Sequence, residues 1–514
     1  MYLNNLYYLN TFEHYSVELC KLFRMDGYRG KVSVRAAIVQ TLATFAIAFL
    51  TGLTGLVFAW PSYNVANFVS NETVLAEPMS TVHISLLGSL TNIGAFIMTP
   101  FCGIAVSKFG RKKSAILFGL PFVISWLILS VTKSIPFILS AMAIAGCGSG
   151  GQVTTTIYIS EIVQDSIRGA LMSTIVIVYF VGLLVSYILG GCLTYDQVIY
   201  VQLTLAILYV LTLSLLKESP IYLLQNGKEK EAAQSLAFYR QVSSTSKEVE
   251  LEISKLKLQL DPRLEKLLEA GGNPTVTINL LATTVPEEKM SEWQFLKTST
   301  SSIRALMTAL ITMATMMLMG NIPVQVYAEV LFKEAVPSLD SNQCSIYLAI
   351  DFIVAGILCS MMIDRFGRKF LMISTCVGSS LCTLILGTQI EYHWAPHWFT
   401  AFLIYFYNFI FNMGVGVIPY ILAAELFLPE VRGLCGSIVM SSGWVLNFIG
   451  LVIFTPAVEN YGLGPVFYCY TIVGFVGALL SVIYQPETKG LSVDEIQSLY
   501  LKKQKVTELK RTDI

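Results

Sequence analysis

The chain runs to 514 residues with a mean hydropathy of +0.64; 54% of the residues are hydrophobic, 12% aromatic and 13% charged, and 34 Lys and Arg balance 34 Asp and Glu. A soluble globule is excluded, because too little polar surface exists to cover the apolar residues, and the expected solvent is a lipid bilayer. No nucleic-acid partner is expected.

The first 35 residues hold no hydrophobic segment and end in RGKVSVR, so they are expected to form a cytosolic tail without a cleavable signal, the first span acting as targeting signal. Apolar runs follow at about 36–60, 85–106, 114–131, 135–160, 169–191, 198–216, 305–329, 343–363, 370–390, 398–422, 433–455 and 464–484, each near the roughly 20 helical residues that cross about 30 Å of hydrocarbon. An all-α membrane protein of twelve transmembrane helices is predicted, six in 36–216 and six in 305–485. With the N-terminus cytosolic, only Lys133 and Lys333 among the basic residues face outward, which sets the orientation and leaves the 486–514 tail cytosolic too. Asn71, in the sequon Asn71-Glu72-Thr73, then falls in the first outward loop, where a glycan could be added. The cysteines lie mostly within spans and read as small core residues; only Cys192 and Cys344, near outer helix ends, could pair.

Between the sixth and seventh spans lies a cytosolic stretch, 217–304. Its segments KEKEAAQSLAFYRQ and KEVELEISKLKLQL carry apolar residues at helical spacing and predict amphipathic helices, either bracing the two halves or docking a regulatory partner. Residues 271–290 read as linker.

Short charged motifs recur in order along the chain. Gly110-Arg111-Lys112 follows the second span and Gly367-Arg368-Lys369 the eighth. Glu161 with Arg168-Gly169 ends the fourth span, and Glu425 with Arg432-Gly433 ends the tenth. KESPIYLL at Lys217 follows the sixth span, and PETKGLSVDEI at Pro486 the twelfth. Three ordered pairs mark an internal duplication.

On these motifs (DRFGRK, ELFLPEVRG, KESPIYLL and PETKGLS) the chain resembles the sugar porters of the major facilitator superfamily, most of all the insect facilitative trehalose transporters. The resemblance covers nearly everything after residue 36. It implies two pseudo-symmetric six-helix bundles with a mid-membrane substrate site opened alternately to each side. It also implies that Arg111, Glu161, Arg168, Asp364, Arg368, Glu425 and Arg432 are gating residues, whose charge-assisted hydrogen bonds hold the cytosolic side closed and break when it opens. One departure is that Ser107 and Lys108 stand where the family has Asp and Arg. The missing carboxylate is expected to weaken the first half of the lock and favour the inward-open state.

The cargo is harder to read. Sugar porters bind hydroxyls through amides on the fifth, seventh and eleventh spans and stack the sugar on aromatics. By alignment to the family this chain keeps Phe411, Tyr420 and Trp444 as aromatics and Asn412 as a polar position, but the amide positions hold Val176, Met316, Met317, Ile322 and Gly443. Counting the adjacent pair Met316-Met317 as one, these four lost amide sites amount to about 2–6 kcal/mol, about 30-fold to 10⁴-fold in affinity if nothing compensates. Asn321 and Gln325, one helical turn apart, could compensate, as could Tyr327, Asn408, Asn412 and Asn447; each could equally make an interhelical hydrogen bond.

The first span carries no acid, whereas the family's proton-coupled members place an aspartate there, so passive uniport is the default. Asp351 lies inside the eighth span and could contact substrate, pair with a nearby polar group or carry a proton. Enzyme readings fail: Gly146–Gly151 (GCGSGG) lacks the Lys-Ser/Thr of a phosphate loop and reads as close helix packing, and His14, His83, His393 and His397 all fall outside the spans. Neither a metal nor a cofactor is expected. The sequence thus predicts a monomeric, multi-pass plasma-membrane uniporter for a sugar such as trehalose or a hexose. The alternatives are a carrier of another small solute, a proton symporter, and a porter-fold sensor that no longer transports.

Overall fold

The computed structural model describes residues 33–260, 291–428, 431–491, 493 and 495–500. Most of the N-terminal tail, the 271–290 linker, His14 and the end of the C-terminal tail therefore lie outside the described residues. Within them the regular structure is helical.

The first half contains α1 (Val34–Val69), α2 (Thr81–Phe109), α3 (Arg111–Val131), α4 (Ile135–Ser149), α5 (Gln152–Ile162), α6 (Asp165–Cys192) and α7 (Tyr195–Leu215). Shorter helices follow: α8 (Pro220–Gln225), α9 (Glu229–Arg240), α10 (Lys247–Leu260) and α11 (Glu292–Thr298). The second half contains α12 (Thr300–Leu318), α13 (Asn321–Val326), α14 (Ala328–Ala335), α15 (Ser341–Phe366), α16 (Arg368–Tyr392), α17 (His397–Asn412), α18 (Ile418–Glu425), α19 (Arg432–Tyr461) and α20 (Leu463–Tyr484).

Among the described residues eleven helical segments are long and apolar enough to cross a membrane. The twelfth expected span, 398–422, is not one helix: α17 has 16 residues and α18 has 8, separated at Met413–Val417, where Gly414 and Gly416 fall. At 1.5 Å per residue α17 covers about 24 Å, short of the hydrocarbon thickness, so the span is completed only by α18. The expected helix at 305–329 is likewise broken, at Met319-Gly320 and at Tyr327, and 135–160 is interrupted at Gly150-Gly151. Backbone groups freed by such breaks need protein partners in lipid, and Tyr407 supplies one by donating its hydroxyl to the Met319 carbonyl at 2.6 Å. The GCGSGG run packs as expected: a Cβ on Gly146 would stand 2.0 Å from the Thr91 carbonyl oxygen, so α4 meets α2 backbone to backbone.

The chain divides into two compact units. The larger takes in Thr44–Tyr158, Met172–Leu216 and the chain from Met290 onward, and holds most of the membrane-crossing length. The smaller takes in residues up to Ala43, Ile159–Leu171 and Lys217–Lys289. In the smaller unit the two expected amphipathic helices are present as α9 and α10, and their apolar faces close on one cluster, Leu223, Ala232, Leu236, Ala237, Val249 and Ile253. Arg240, at the end of α9, donates to both carboxylate oxygens of Glu252 (Nε at 3.0 Å, Nη2 at 2.6 Å) and through Nη1 to the Ile162 carbonyl at 2.7 Å. Gln40 donates to the Tyr239 carbonyl at 3.1 Å. These bonds tie α9 to the ends of α1 and α5.

Candidate functional site

The second copy of the charged motif is a closed hydrogen-bonded cluster. Gly367 sits between α15 and α16 with φ +85°, a region L-residues avoid, and a Cβ there would stand 2.6 Å from Glu487 Oε2. Only glycine lets that carboxylate come in over the start of α16, where Arg368 N and Lys369 N donate to Glu487 Oε1 and Oε2 at 2.9 and 3.0 Å. Burial raises the Glu487 pKa, but the backbone donors of Arg368, Lys489, Lys369 and Thr488 outweigh it and hold the carboxyl below its usual range. The Arg368 guanidinium donates to Glu425 Oε1 at 3.0 Å, and Thr488 donates through Oγ1 to the other oxygen of Glu425 at 2.8 Å. Lys369 Nζ donates to the Val482 carbonyl near the end of α20, where a cation suits the helix dipole.

Parts of the first copy repeat this geometry. Ser219, next to Glu218 as Thr488 is next to Glu487, donates its hydroxyl to Glu161 Oε2. Lys112 Nζ donates to the carbonyls of Ser214 and Leu216 at the end of α7, at 2.6 and 2.7 Å. Arg168 donates to the Val163 carbonyl at 3.2 Å and Arg432 to the Phe427 carbonyl at 3.4 Å, each five residues back. Arg111 is buried, and its Nη1 lies 3.5 Å from the Val106 carbonyl. Arg368 and Glu425, both among the expected gating residues, are paired directly. Arg432 meets a carbonyl and no carboxylate among the described residues, and the Asp364 side chain lies outside what the structure describes. Ser107 donates its hydroxyl within α2, to the Ile104 carbonyl at 3.0 Å.

Among the described residues, a set of hydrogen bonds joins the halves at the end opposite these glycine turns. Tyr327 donates to the Ile84 carbonyl at 3.2 Å and stacks on Phe454 with centroids 5.5 Å apart and planes 7° apart. Glu329 N donates to Ser62 Oγ at 2.9 Å, Asn342 Nδ2 to the Tyr187 carbonyl at 3.1 Å, and Thr81 Oγ1 to Glu459 Oε1 at 2.7 Å. Tyr187 in turn donates to the Gln325 carbonyl.

The candidate substrate residues separate into two groups. Asn321 and Gln325 are buried and bonded to one another: Gln325 Nε2 donates to Asn321 Oδ1 at 2.6 Å, Asn321 Nδ2 to Asn408 Oδ1 at 2.8 Å, and Tyr179 of α6 donates to Gln325 Oε1 at 3.0 Å. Asn412 is buried and donates to the Asn408 carbonyl at 2.9 Å; Phe411 is buried beside Tyr407. By contrast Tyr420 is 41% exposed, Val176 37%, and Trp444 is half-buried. Met316 and Met317 are core residues, with Met317 packed 3.3 Å from where a Gly443 Cβ would lie. Tyr179, the residue that joins the amides to the first half, carried no signal in the sequence beyond its place on an apolar helix.

Asp351 is half-buried, and its Oδ2 has no hydrogen-bond partner among the described residues. Phe352 and Gly356 meet Phe180 of α6, whereas Cys344, two turns from Asp351 on its own face, accepts from Tyr405 of α17 at 3.2 Å. Asp351 therefore stands on the α17 side of α15. Asn71 lies in an exposed turn after α1, and Cys192 and Cys344 are both free thiols.

A family model described as "Sugar (and other) transporter" matches residues 36–500. The chain belongs to this family. Among known members it is 24% identical over 485 residues to the facilitated trehalose transporter Tret1 of Polypedilum vanderplanki, covering 92% of this chain and 90% of that one. It is 22% identical to the protein of the same name from Drosophila yakuba, of which it spans 53%. Two solved structures share the fold. The proton:xylose symporter XylE bound to 6-bromo-6-deoxy-D-glucose gives a TM-score of 0.65 at 22% identity, covering 89% of this chain and 99% of that one. The inward-open xylose transporter XylE from E. coli gives 0.68 at 20%, with the same coverage.

The twelve-helix major facilitator fold follows, and with it a multi-pass membrane transporter that is not an enzyme. Sequence reasoning located Glu425, Arg368, Glu161 and the glycines but missed the carboxylate and hydroxyls that complete each cluster, Glu487, Thr488 and Ser219. Their signal was present in the repeated pairs Glu218-Ser219 and Glu487-Thr488.

Proposed function

We infer that this transporter is a facilitative carrier passing a sugar, a disaccharide such as trehalose or a hexose, across the plasma membrane. Two six-helix halves, 36–216 and 305–485, alternate in access, with 217–304 as a cytosolic brace and both tails cytosolic. The observation that carries the reading is the seam between the halves. Tyr327, Glu329, Tyr187 and Asn342 join the halves at the end opposite the glycine turns, while Tyr420 and Trp444 remain accessible. With the glycine turns on the cytosolic side, these bonds lie toward the outer ends of the spans, and Ser107 in place of a lock carboxylate favours opening inward. Tyr420 and Trp444 offer ring faces to a pyranose. When α13 parts from Tyr179 and Tyr187, Gln325 Oε1 loses its donor and becomes free to accept from a sugar hydroxyl, while Asn321 stays bonded to Gln325 and Asn408. The trehalose transporters among the relatives support the sugar class, and an α1 without any acid supports uniport. Asn71, exposed in the outward turn, is the proposed glycan acceptor.

Uptake of labelled trehalose and glucose into vesicles, with and without an imposed proton gradient, tests this. Saturable uptake of either sugar that ignores the gradient is expected. One observation favours a second reading, proton symport: the partnerless oxygen of Asp351. Gradient-driven accumulation abolished by Asp351→Asn would replace uniport with it, and no saturable uptake of either sugar would sink the sugar assignment.

A further inference from the structure

Apart from the transport path, the surface that faces lipid carries a built crevice. The first turns of α15 and α17 splay apart around a space of about 310 Å³, at the low end of the roughly 300–1,000 Å³ typical of small-molecule sites. Tyr347, Trp398, Ala401, Phe402 and Tyr405 line it, and Asp340 stands at its mouth, immediately before α15. Its rim is apolar and exposed: Tyr347, Trp398 and Phe402 are 57%, 65% and 50% exposed, and Ile350 and Phe406 further along α15 and α17 are exposed too.

The walls are held in place. Tyr405 packs on Phe332 at 5.6 Å and donates to the Cys344 carbonyl, and Trp398, Phe399, Phe402 and Phe406 form a ladder with successive centroids 5.9, 6.3 and 5.5 Å apart. Asp340 uses Oδ1 to accept from Gln343 N at 2.8 Å, capping α15, and forms no ion pair among the described residues. An acidic side chain with no ion pair among the described residues thus borders the same space as Tyr347, Trp398 and Tyr405, where a span begins, the depth of lipid headgroups.

We propose that this crevice is a binding site for a choline phospholipid, the trimethylammonium held by Asp340, Trp398, Tyr347 and Tyr405 and an acyl chain running past Ala401 and Phe402. A quaternary ammonium has no N–H to satisfy, so an apolar aromatic cage with one carboxylate complements it better than it does a primary ammonium. Asp340 repels an anionic headgroup, and a sterol leaves that charge unanswered. The bound lipid fills the space between α15 and α17 and so supports α17, the part of the broken span too short to cross the membrane alone.

The test is lipid retention by the purified full chain, delipidated in detergent and then offered phosphatidylcholine, phosphatidylethanolamine, phosphatidylglycerol or cholesterol, and read by native mass spectrometry. Phosphatidylcholine is expected to be retained in preference to the others. Asp340→Asn and Trp398→Ala are each expected to cut its retention by about threefold to tenfold, without loss of helical circular dichroism. Asp340 is exposed, so its variant keeps the test valid even if the tryptophan variant misfolds. Equal retention by the parent and the Asp340 variant, or a preference for any of the other three lipids, overturns the proposal.

Discussion

The two copies of the charged repeat descend from one motif yet stand differently. In the second, Arg368, Glu425, Thr488 and Glu487 form one connected cluster over a glycine that admits no side chain. The first keeps the hydroxyl on Glu161 and the lysine on the end of α7, and Ser107, where the family resemblance implies an acid, turns its hydroxyl into its own helix. The comparison teaches that duplication conserves the hydrogen bonds that close each helix junction more strictly than the charges at its edge. Junction bonds satisfy groups at the border of low dielectric, where an unpaired polar atom costs about 1–3 kcal/mol. An edge charge adds less.

The strongest way to break the comparison is to remove the shared carboxylate from each copy in turn. Glu425→Gln leaves Arg368 half-buried without its ion pair, and sugar uptake into vesicles should fall by about tenfold, a loss of about 1.4 kcal/mol. Glu161→Gln should cost as much if the copies are equivalent. A much smaller loss would show that the second copy alone limits the cycle.

Glu487→Gln comes next, read as thermal stability against pH. Because the folded carboxyl titrates below its usual range, its contribution is complete above the unfolded value and disappears as pH falls through the folded one. The parent should therefore lose stability toward pH 3–4 more steeply than the variant, for which the usual carboxyl value of about 4.3 no longer matters. At neutral pH the variant should unfold a few degrees lower. Identical acid limbs would mean that Glu487 is not held by the start of α16.

The smallest expected effect comes from restoring the missing charge. Ser107→Asp should move the population outward, slowing modification of a cysteine placed to face the cytosol by about twofold to fivefold, because an exposed pair contributes at most about 1 kcal/mol. No change would show that the first-half lock is not limiting, and would sharpen the contrast between the copies.

Much of this was legible in the sequence, and the reason is the bilayer. Hydrocarbon leaves backbone groups no partner but one another, so about 20 apolar residues in a row can hardly be anything but a span, and a repeated Gly-Arg-Lys can hardly be anything but a junction. The breaks at Met319-Gly320 and Met413–Val417 were not legible as breaks, because glycine within a span is equally compatible with close helix packing. Nor could spacing along one helix tell whether Asn321 and Gln325 look at solute or at each other. Their partners, Asn408 and Tyr179, come from α17 and α6, and only the packing of three helices brings them together. Sequence by itself therefore determined the spans, the duplication and the family, since these depend on local polarity and motif order. Tertiary structure alone decided which polar atoms are already satisfied, since a hydrogen bond depends on distances between residues far apart in the chain.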